Sequence, residues 1–232
     1  MPSLNNAVVL VTGANGGLGT HFVTQALERG ASKVYATARH PREWADPRVI
    51  PLVLDVTDPA SIAAAAAAAP DVTVLINNAG IANGAAVLGP QDDLRKMFEA
   101  NFFGPLAVVD AFRPALARSA GTVLNVASVL SWLGIAGGYS ASKAALWQAT
   151  NSLRIGLAEE GITVTALHLG YTDTPMTAAV DAPKNDPAEV VRIAYDGLES
   201  GAVEILADDV SRQVKAALAG PVESLYPELV RG

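Results

Sequence analysis

A glycine-rich turn between a short apolar run and a helical pattern constrains this fold more than any other feature. Residues 7–12 are apolar and rich in valine, which favours a strand buried on both faces of a parallel sheet. They lead into TGANGGLG at residues 12–19, and a helical pattern then runs to Gly30. Glycines permit a tight turn and let a pyrophosphate approach the free N–H groups of the helix. This order predicts a dinucleotide-binding unit, with a merely flexible loop as the alternative.

The rest of the chain alternates between strand and helix patterns. Six further strands are predicted at residues 33–37, 49–54, 71–77, 121–127, 162–169 and 203–207. Helices are predicted at residues 58–69, 92–116, 139–161, from 186 onward, and 208–219. The ten or so residues after the second strand include Pro41, Trp44 and Pro47, which argues against a crossover helix there. With no repeat and no linker, residues 1–232 are predicted to form a single domain, with a tail at residues 221–232.

Composition excludes several classes of function. The formal net charge is −7, which argues against a nucleic-acid partner because such proteins present a basic surface. The chain has no cysteine, and its three histidines lack metal-ligand spacing, so no metal site is predicted. The N-terminus lacks a signal-peptide pattern, and no apolar run is long enough to span a membrane. We therefore expect a soluble cytoplasmic protein with no membrane partner.

The sequence YSASK begins the longest helical pattern after the mid-chain strand. Tyr139 and Lys143 are four residues apart, so they lie on one face of a helix. A nearby ammonium favours the phenolate and is expected to lower the tyrosine pKa from its usual value of about 10. Such a tyrosine can exchange a proton with a carbonyl or alcohol oxygen. By itself the pair is also typical of a solvated helix surface.

Polar residues follow several predicted strands. Arg39 follows the second strand, where an acid would bind a ribose 2′-hydroxyl and an arginine a 2′-phosphate. Arg39 therefore favours NADP over NAD, unless it is only a solvated surface arginine. Asp55 follows the third strand and either reaches an adenine edge or forms a turn or helix cap. Asn78 to Gly80 follow the fourth strand with the small residues that a cofactor crevice needs.

Five motifs occur in order along the chain: TGANGGLG, NNAG, an asparagine within the mid-chain helix, a serine at a strand end, and YSASK. Together they resemble the short-chain dehydrogenase/reductase family in its short single-domain branch. The resemblance covers nearly the whole chain and implies an α/β fold with a Rossmann-type, doubly wound parallel sheet of about seven strands. It also implies a nicotinamide cofactor and a catalytic tetrad formed here by Asn101, Ser128, Tyr139 and Lys143.

The resemblance also implies a role for each member of the tetrad. Ser128 would donate a hydrogen bond to the substrate oxygen, and Tyr139 would be the general acid in reduction and the base in oxidation. Lys143 would tune Tyr139 and bind the nicotinamide ribose, and Asn101 would hold a water that links Lys143 to solvent. Ser131 is an alternative to Ser128, which is favoured because it lies directly at the strand end.

Further positions follow from the residues and the resemblance together. The predicted cofactor-binding residues are Gly13, Asn15, Gly16, Gly17, Leu18, Gly19, Arg39, Asp55, Val56, Asn78, Ala79, Gly80, Tyr139, Lys143, Gly170, Thr172 and Thr174. The predicted substrate wall comprises Leu130, Trp132, Leu133, Tyr171, Pro175 and Met176, some of which could instead belong to the core.

The chain also departs from the family pattern. The loop between Ser128 and Tyr139 is a couple of residues shorter than usual, so the pocket is expected to be reshaped. His168 precedes Leu169-Gly170 where relatives commonly have Pro-Gly. It is a candidate for an extra acid–base group, although a strand-end histidine more often packs or forms hydrogen bonds.

The predicted function is NADP(H)-dependent reduction of an apolar or aromatic ketone or aldehyde, together with the reverse oxidation of the alcohol. The alternatives are a non-catalytic NADP-binding redox sensor and an epimerase or dehydratase that uses the same tetrad. The resemblance also implies a homodimer or homotetramer, paired through the helices that begin near Asp92 and Tyr139.

Overall fold

A seven-stranded, entirely parallel sheet organises the protein, as predicted. The computed structural model describes residues 3–226, so the second half of the predicted tail, residues 227–232, lies outside the described residues. The sheet order is β3-β2-β1-β4-β5-β6-β7. The strands are β1 (Val8–Thr12), β2 (Lys33–Ala38), β3 (Val49–Val53), β4 (Val74–Asn77), β5 (Thr122–Val126), β6 (Thr163–His168) and β7 (Glu204–Leu206).

Helices cover both faces of the sheet, because strands with apolar side chains on both faces must be shielded from water on both. They are α1 (Leu18–Glu28), α2 (Pro59–Ala68), α3 (Gln91–Phe98), α4 (Gly104–Ser119), α5 (Gly138–Gly156), α6 (Pro187–Glu199) and α7 (Asp209–Ala217). On one face, Phe22 of α1 packs edge-on against Tyr195 of α6, with ring centroids 5.5 Å apart. On the other face, Ile62 of α2 and Phe112 of α4 belong to a second apolar cluster. The fold is therefore a doubly wound, single-domain Rossmann sheet.

The connection from β2 to β3 contains no helix, as the prolines predicted. Its backbone is tied to the start of β2, where the Val34 amide donates to the Arg48 carbonyl at 3.0 Å. The predicted helix at residues 92–116 is broken, since a π-helical turn, Glu99–Phe103, separates α3 from α4. Such turns insert one extra residue and often mark functional sites. Here the turn carries Asn101, where a kink was expected.

The carboxyl ends of all seven strands lie at one edge of the sheet, because the strands are parallel. The strand order reverses between β1 and β4, where α/β folds bind their ligands. The candidate site residues follow β1, β2, β3, β4, β5 and β6 at this edge. None of the helices within residues 3–226 is both long and apolar enough to cross a bilayer.

Candidate active site

The turn after β1 is closed by backbone contacts that only glycine permits. Gly13 has φ +67°, and a Cβ there would lie 3.1 Å from the Ala79 Cα. A Cβ on Gly19 would lie 2.1 Å from the Gly13 carbonyl oxygen. These two glycines are therefore required for the turn itself, before any ligand is considered.

The middle of the same turn is open. A Cβ on Gly16 would meet nothing within 4 Å, and one on Gly17 would lie 3.5 Å from Thr174. Leu18 then begins α1, and no side chain caps the first N–H groups of this helix. An open cradle over amide donors, closed on its far side by Thr174, fits the pyrophosphate of a dinucleotide.

Asp208 anchors the segment that carries Gly170, Thr172 and Thr174. Its carboxylate accepts bonds from the Gly170 amide at 2.6 Å and from the Asn185 Nδ2 at 2.7 Å. Burial opposes the charge, but hydrogen bonds from Gly170, Ser211 and Asn185 lower the Asp208 pKa. Asp208 is thus a supporting residue that sequence reasoning missed, since it was predicted only as the first residue of a helix at residues 208–219.

The region expected to bind a 2′-phosphate is basic and exposed. Arg39 is exposed at the end of β2, and the Asn15 Nδ2 donates to the His40 carbonyl at 2.7 Å, tying this loop to the glycine turn. Arg42 stacks over Trp44, with its guanidinium 4.1 Å from the ring centroid. Arg42 is a second arginine within four residues, a signal that could have been read from the sequence.

Asp55 adopts the turn role that was the alternative to adenine binding. Its carboxylate accepts bonds from the Thr57 amide at 2.9 Å and the Thr57 hydroxyl at 2.8 Å. These bonds from Thr57 lower the Asp55 pKa. Val56 follows, with its carbonyl 2.8 Å from the position of a Cβ on Gly104. Contact of Asp55 and Val56 with adenine stays a prediction.

The crevice between β1 and β4 is cross-linked by Thr12 and Asn78. The Thr12 hydroxyl accepts from the amides of Asn78 at 3.0 Å and Ala79 at 2.9 Å, and the Asn78 Nδ2 donates to the Thr12 carbonyl at 2.9 Å. Gly80 then passes beside the tetrad, because a Cβ there would lie 3.1 Å from the Asn101 Oδ1 and 3.7 Å from the Lys143 Nζ. The fold thereby brings the predicted crevice against two of the predicted catalytic residues.

Lys143 and Asn101 are almost completely buried. The Lys143 Nζ donates to the Val126 carbonyl at 2.8 Å, and burial lowers the pKa of Lys143 to about 8. The Asn101 Oδ1 accepts from the Ile81 amide at 2.8 Å. The Asn101 Nδ2 donates to the Ile81 carbonyl at 2.9 Å and to the Ser142 hydroxyl at 3.1 Å. One acceptor position remains on the Asn101 Oδ1 for the predicted water.

Ser128 and Tyr139 meet despite the short loop, but the pKa expected for Tyr139 is wrong for this structure. Burial raises the pKa of Tyr139 to about 12, and the neighbouring Ser128 side chain opposes the rise. The Lys143 ammonium lies 5.8 Å from the Tyr139 ring centroid and is bonded elsewhere. Burial therefore outweighs the cation, and the chain by itself holds Tyr139 as a protonated acid.

The predicted substrate wall is divided between core and surface. Leu130 and Trp132 are buried, and Trp132 stacks on His168 with ring centroids 3.9 Å apart, so their assignment to an open wall is corrected. Leu133 packs against the same cluster. The remaining three residues, Tyr171, Pro175 and Met176, are exposed. Ser131 is buried, and its hydroxyl forms no hydrogen bond among the described residues.

Two further features were not found from the sequence. A buried ladder runs behind the tetrad, since the Asn77 Nδ2 donates to the Asn125 Oδ1 and the Asn125 Nδ2 to the Thr150 hydroxyl, each at 2.9 Å. The described part of the tail contacts the loop after Ser128, where the Tyr226 hydroxyl accepts from the Gly134 amide at 2.7 Å. Both connect residues distant in sequence, so no local pattern could have revealed them.

Comparisons with known proteins agree with this geometry. A family model described as short chain dehydrogenase matches residues 7–185. Cis-4-hydroxycyclohexanecarboxylate dehydrogenase from Sinomonas cyclohexanicum is 34% identical, over 91% of this chain and 93% of that protein. Retinol dehydrogenase 5 from Homo sapiens is 34% identical over 75% of this chain, which spans only 59% of that relative. The crystal structure of a short chain dehydrogenase from Burkholderia cenocepacia J2315 in complex with NADP superposes with a TM-score of 0.92, at 36% identity, covering 98% of this chain and 99% of that chain.

Proposed function

This chain belongs to the short-chain dehydrogenase/reductase family of oxidoreductases, and from that premise we propose that it interconverts a carbonyl compound and its alcohol with NADP(H). In the proposed direction of reduction, the substrate is an apolar or aromatic ketone or aldehyde. The observation that carries the proposal is the grouping of three side chains: the Tyr139 ring centre lies 5.8 Å from the buried Lys143 ammonium, and Ser128 neighbours Tyr139. A proton donor and a second donor thus converge on one point, which a carbonyl oxygen would occupy.

The protein's part of the chemistry is proton transfer and orientation. The nicotinamide, when bound, supplies or accepts the hydride. Tyr139 donates its phenolic proton to the substrate oxygen, and its raised pKa keeps that proton in place at neutral pH. Ser128 donates a hydrogen bond to the same oxygen and polarises the carbonyl group. Lys143 supplies positive charge below its pKa of about 8 and would hold the ribose of the bound cofactor.

Replacing Tyr139 by phenylalanine tests the reaction. Tyr139→Phe should reduce kcat for NADPH-dependent carbonyl reduction by about 100- to 10,000-fold, because it removes the general acid. Cofactor affinity, measured by quenching of protein fluorescence, should stay close to that of the wild type. Tyr35→Phe is the matched control, because Tyr35 lies in β2, outside the proposed site. Its hydroxyl donates a hydrogen bond to the Asp71 carboxylate at 2.9 Å. If wild-type enzyme binds NADPH but reduces nothing in a broad carbonyl panel, the enzyme proposal is wrong and the sensor alternative replaces it.

The preference for NADP(H) is supported by Arg39 and Arg42, two exposed guanidinium groups at the end of β2. The NADP complex of the 36% identical relative supports the same choice. Arg39→Ala and Arg42→Ala should each raise KM for NADPH and leave KM for NADH unchanged. Arg48→Ala is the control, since Arg48 lies in the same loop but is paired with Asp46. Equal turnover of NADPH and NADH by the wild type would refute the preference.

The apolar substrate class is supported by the exposed rim of Tyr171, Pro175 and Met176. The human relative is named for retinol, which is largely apolar, whereas the bacterial relative is named for a cyclohexane ring with a carboxylate. A panel of aliphatic, aromatic and alicyclic ketones and aldehydes, each with and without a carboxylate, should show a higher kcat/KM for the uncharged members. The reverse order would overturn the apolar assignment.

A cytoplasmic homodimer or homotetramer completes the proposal. Phe103 of the π-helical turn, Ala107 of α4 and Ile155 of α5 are exposed, with Ile155 79% accessible. Burial of such residues between copies would stabilise an oligomer. Light scattering coupled to size-exclusion chromatography should give two or four times the chain mass, and Ile155→Glu should lower it. A monomeric wild type would refute this assembly.

A further inference from the structure

His168 lies outside the proposed proton chemistry, yet it is fully buried directly behind Ser128. It ends β6, and its Nδ1 lies 2.9 Å from the Ser128 carbonyl oxygen. Its Nε2 faces the Glu204 carboxylate at 3.5 Å. The histidine therefore joins the backbone of a proposed catalytic residue to an acid on β7. It is buried and bonded, which was the expected alternative to an acid–base role.

Aromatic rings and a lysine enclose this imidazole. Trp132 stacks on it at an interplanar angle of 15°, and Trp147 of α5 meets it edge-on at 6.4 Å between ring centroids. Lys215 of α7 bonds the other Glu204 oxygen at 2.6 Å and lies 5.0 Å from the centre of the Trp132 ring. Side chains from five segments of the chain thus converge behind the catalytic loop.

The hydrogen-bond partners determine which nitrogen carries a proton. A carbonyl oxygen only accepts, so the His168 Nδ1 must be protonated to bond Ser128. The Glu204 carboxylate faces the opposite side of the ring, 3.5 Å from Nε2, and is itself fixed by a hydrogen bond from the Trp147 Nε1 at 3.1 Å. A carboxylate next to an imidazole fixes the ring orientation and tautomer, as it does in catalytic triads and around metal-bound histidines.

The backbone around Ser128 is held at three points. The amides of Ala127 and Val129 donate to the carbonyls of Leu167 and Leu169 on the β6 side, each at 2.9 Å. His168 holds the Ser128 carbonyl between these bonds. The Ser128 hydroxyl accepts from the Leu130 amide at 3.1 Å, so its direction follows from that of the backbone.

We propose that His168 is a positioning residue that aims the Ser128 hydroxyl at the substrate oxygen, and that Glu204 orients the His168 ring for this purpose. The inference rests on the proposed function, since it assigns a support to a residue of that site. It also explains why a loop shorter than usual still presents Ser128 to Tyr139. Trp132, which was expected on the pocket wall, instead packs on the supporting ring.

Two substitutions separate positioning from packing. His168→Asn keeps an amide donor at the position of Nδ1, whereas His168→Leu keeps only volume. His168→Leu should lower kcat about 100-fold, with cofactor KM unchanged, because small displacements of a catalytic group carry costs of this size. His168→Asn should recover most of the loss. The matched control is Thr165→Val in the same strand as His168, which removes a part-buried hydrogen bond from Thr165 to the Ala202 carbonyl.

A second readout does not depend on activity. The Leu130 amide is bonded to the Ser128 hydroxyl, so its hydrogen exchange reports the position of that group. Exchange should be at least about tenfold faster in His168→Leu than in wild type, normal in Thr165→Val, and intermediate in Glu204→Gln. If wild-type protein reduces no carbonyl but these exchange rates hold, only the proposed function fails. If kcat per folded enzyme and Leu130 exchange are unchanged in His168→Leu, the positioning role is wrong.

Discussion

Removing the buried ammonium of Lys143 should stabilise the protein at neutral pH while abolishing its activity. Burial lowers the Lys143 pKa from 10.5 to about 8. At about 1.4 kcal/mol per pKa unit, keeping this group charged destabilises the folded state by about 3 kcal/mol. Lys143→Met removes that cost and loses the hydrogen bond to the Val126 carbonyl, which contributes about 1 kcal/mol. The variant should therefore be about 2 kcal/mol more stable below pH 8.

The lowered pKa of Lys143 determines how the stability difference between the variant and wild type changes with pH. Because the folded pKa lies below the unfolded value, the unfolded chain binds more protons between pH 8 and 10.5, and wild-type stability gains from Lys143 as pH rises through that window. Lys143→Met lacks this gain, so the two stabilities should converge near about pH 10. The sign is the reverse of that for a lysine whose pKa is raised by a partner.

Urea unfolding followed by circular dichroism at pH 7, 8, 9 and 10 measures the difference. Lys96→Met is the matched control, because Lys96 is 68% exposed and should change stability little at any pH. A constant difference between Lys143→Met and wild type across the window would refute the reasoning, as would a less stable variant at pH 7. Either result would mean that burial does not penalise this cation.

Two further predictions concern the cofactor cradle and its support. Gly19→Ala should destabilise the fold, because its Cβ would lie 2.1 Å from the Gly13 carbonyl oxygen. Gly16→Ala adds a Cβ that meets nothing within 4 Å, so this variant should melt at the wild-type temperature but bind NADPH more weakly. Unaltered NADPH affinity in Gly16→Ala would contradict the proposed pyrophosphate cradle. Asp208→Ala should cost about 3 kcal/mol in unfolding free energy and raise KM for the cofactor, because it releases the Gly170 amide and a helix cap. Since the Asp208 pKa is lowered, the stability that Asp208 contributes is present above pH 3.8 and is lost as pH falls. The unfolding free energies of wild type and Asp208→Ala should therefore converge in acid. Equal unfolding free energies at pH 7 would rule out the supporting role of Asp208.

Local patterns were enough to predict most of the elements. The seven strands, the missing crossover helix before β3 and the break at Asn101 all follow from short-range signals: valine runs, prolines, and a polar residue beside Gly-Pro. Element ends differ by a few residues, as at β4, which begins at Val74 instead of residue 71. These ends depend on where ladder partners stop, and a single strand does not carry that information.

Packing explains the failures at the site. Trp132 was expected on a pocket wall because it is apolar and lies in the right loop, but its ring stacks on His168 from another strand. The pKa of Tyr139 was expected to fall because Lys143 is one turn away, but burial of the phenol itself governs it. Contacts between distant segments and the exclusion of water arise only in the tertiary structure. Residue spacing alone therefore could not predict where Trp132 packs or whether burial outweighs the lysine charge at Tyr139.

The sequence by itself determined which chemistry is available: a glycine turn at a strand end, a serine, and a tyrosine one helical turn from a lysine. These depend on residue type and short spacing, and helix and strand geometry translate such spacing directly into relative position. Tertiary structure alone decided the protonation of Tyr139, the tether from His168 to Ser128, and the Asp208 anchor of the Gly170 segment. Each of these joins groups from different strands and helices, and its energy depends on burial, which exists only once the sheet and both helical layers have assembled.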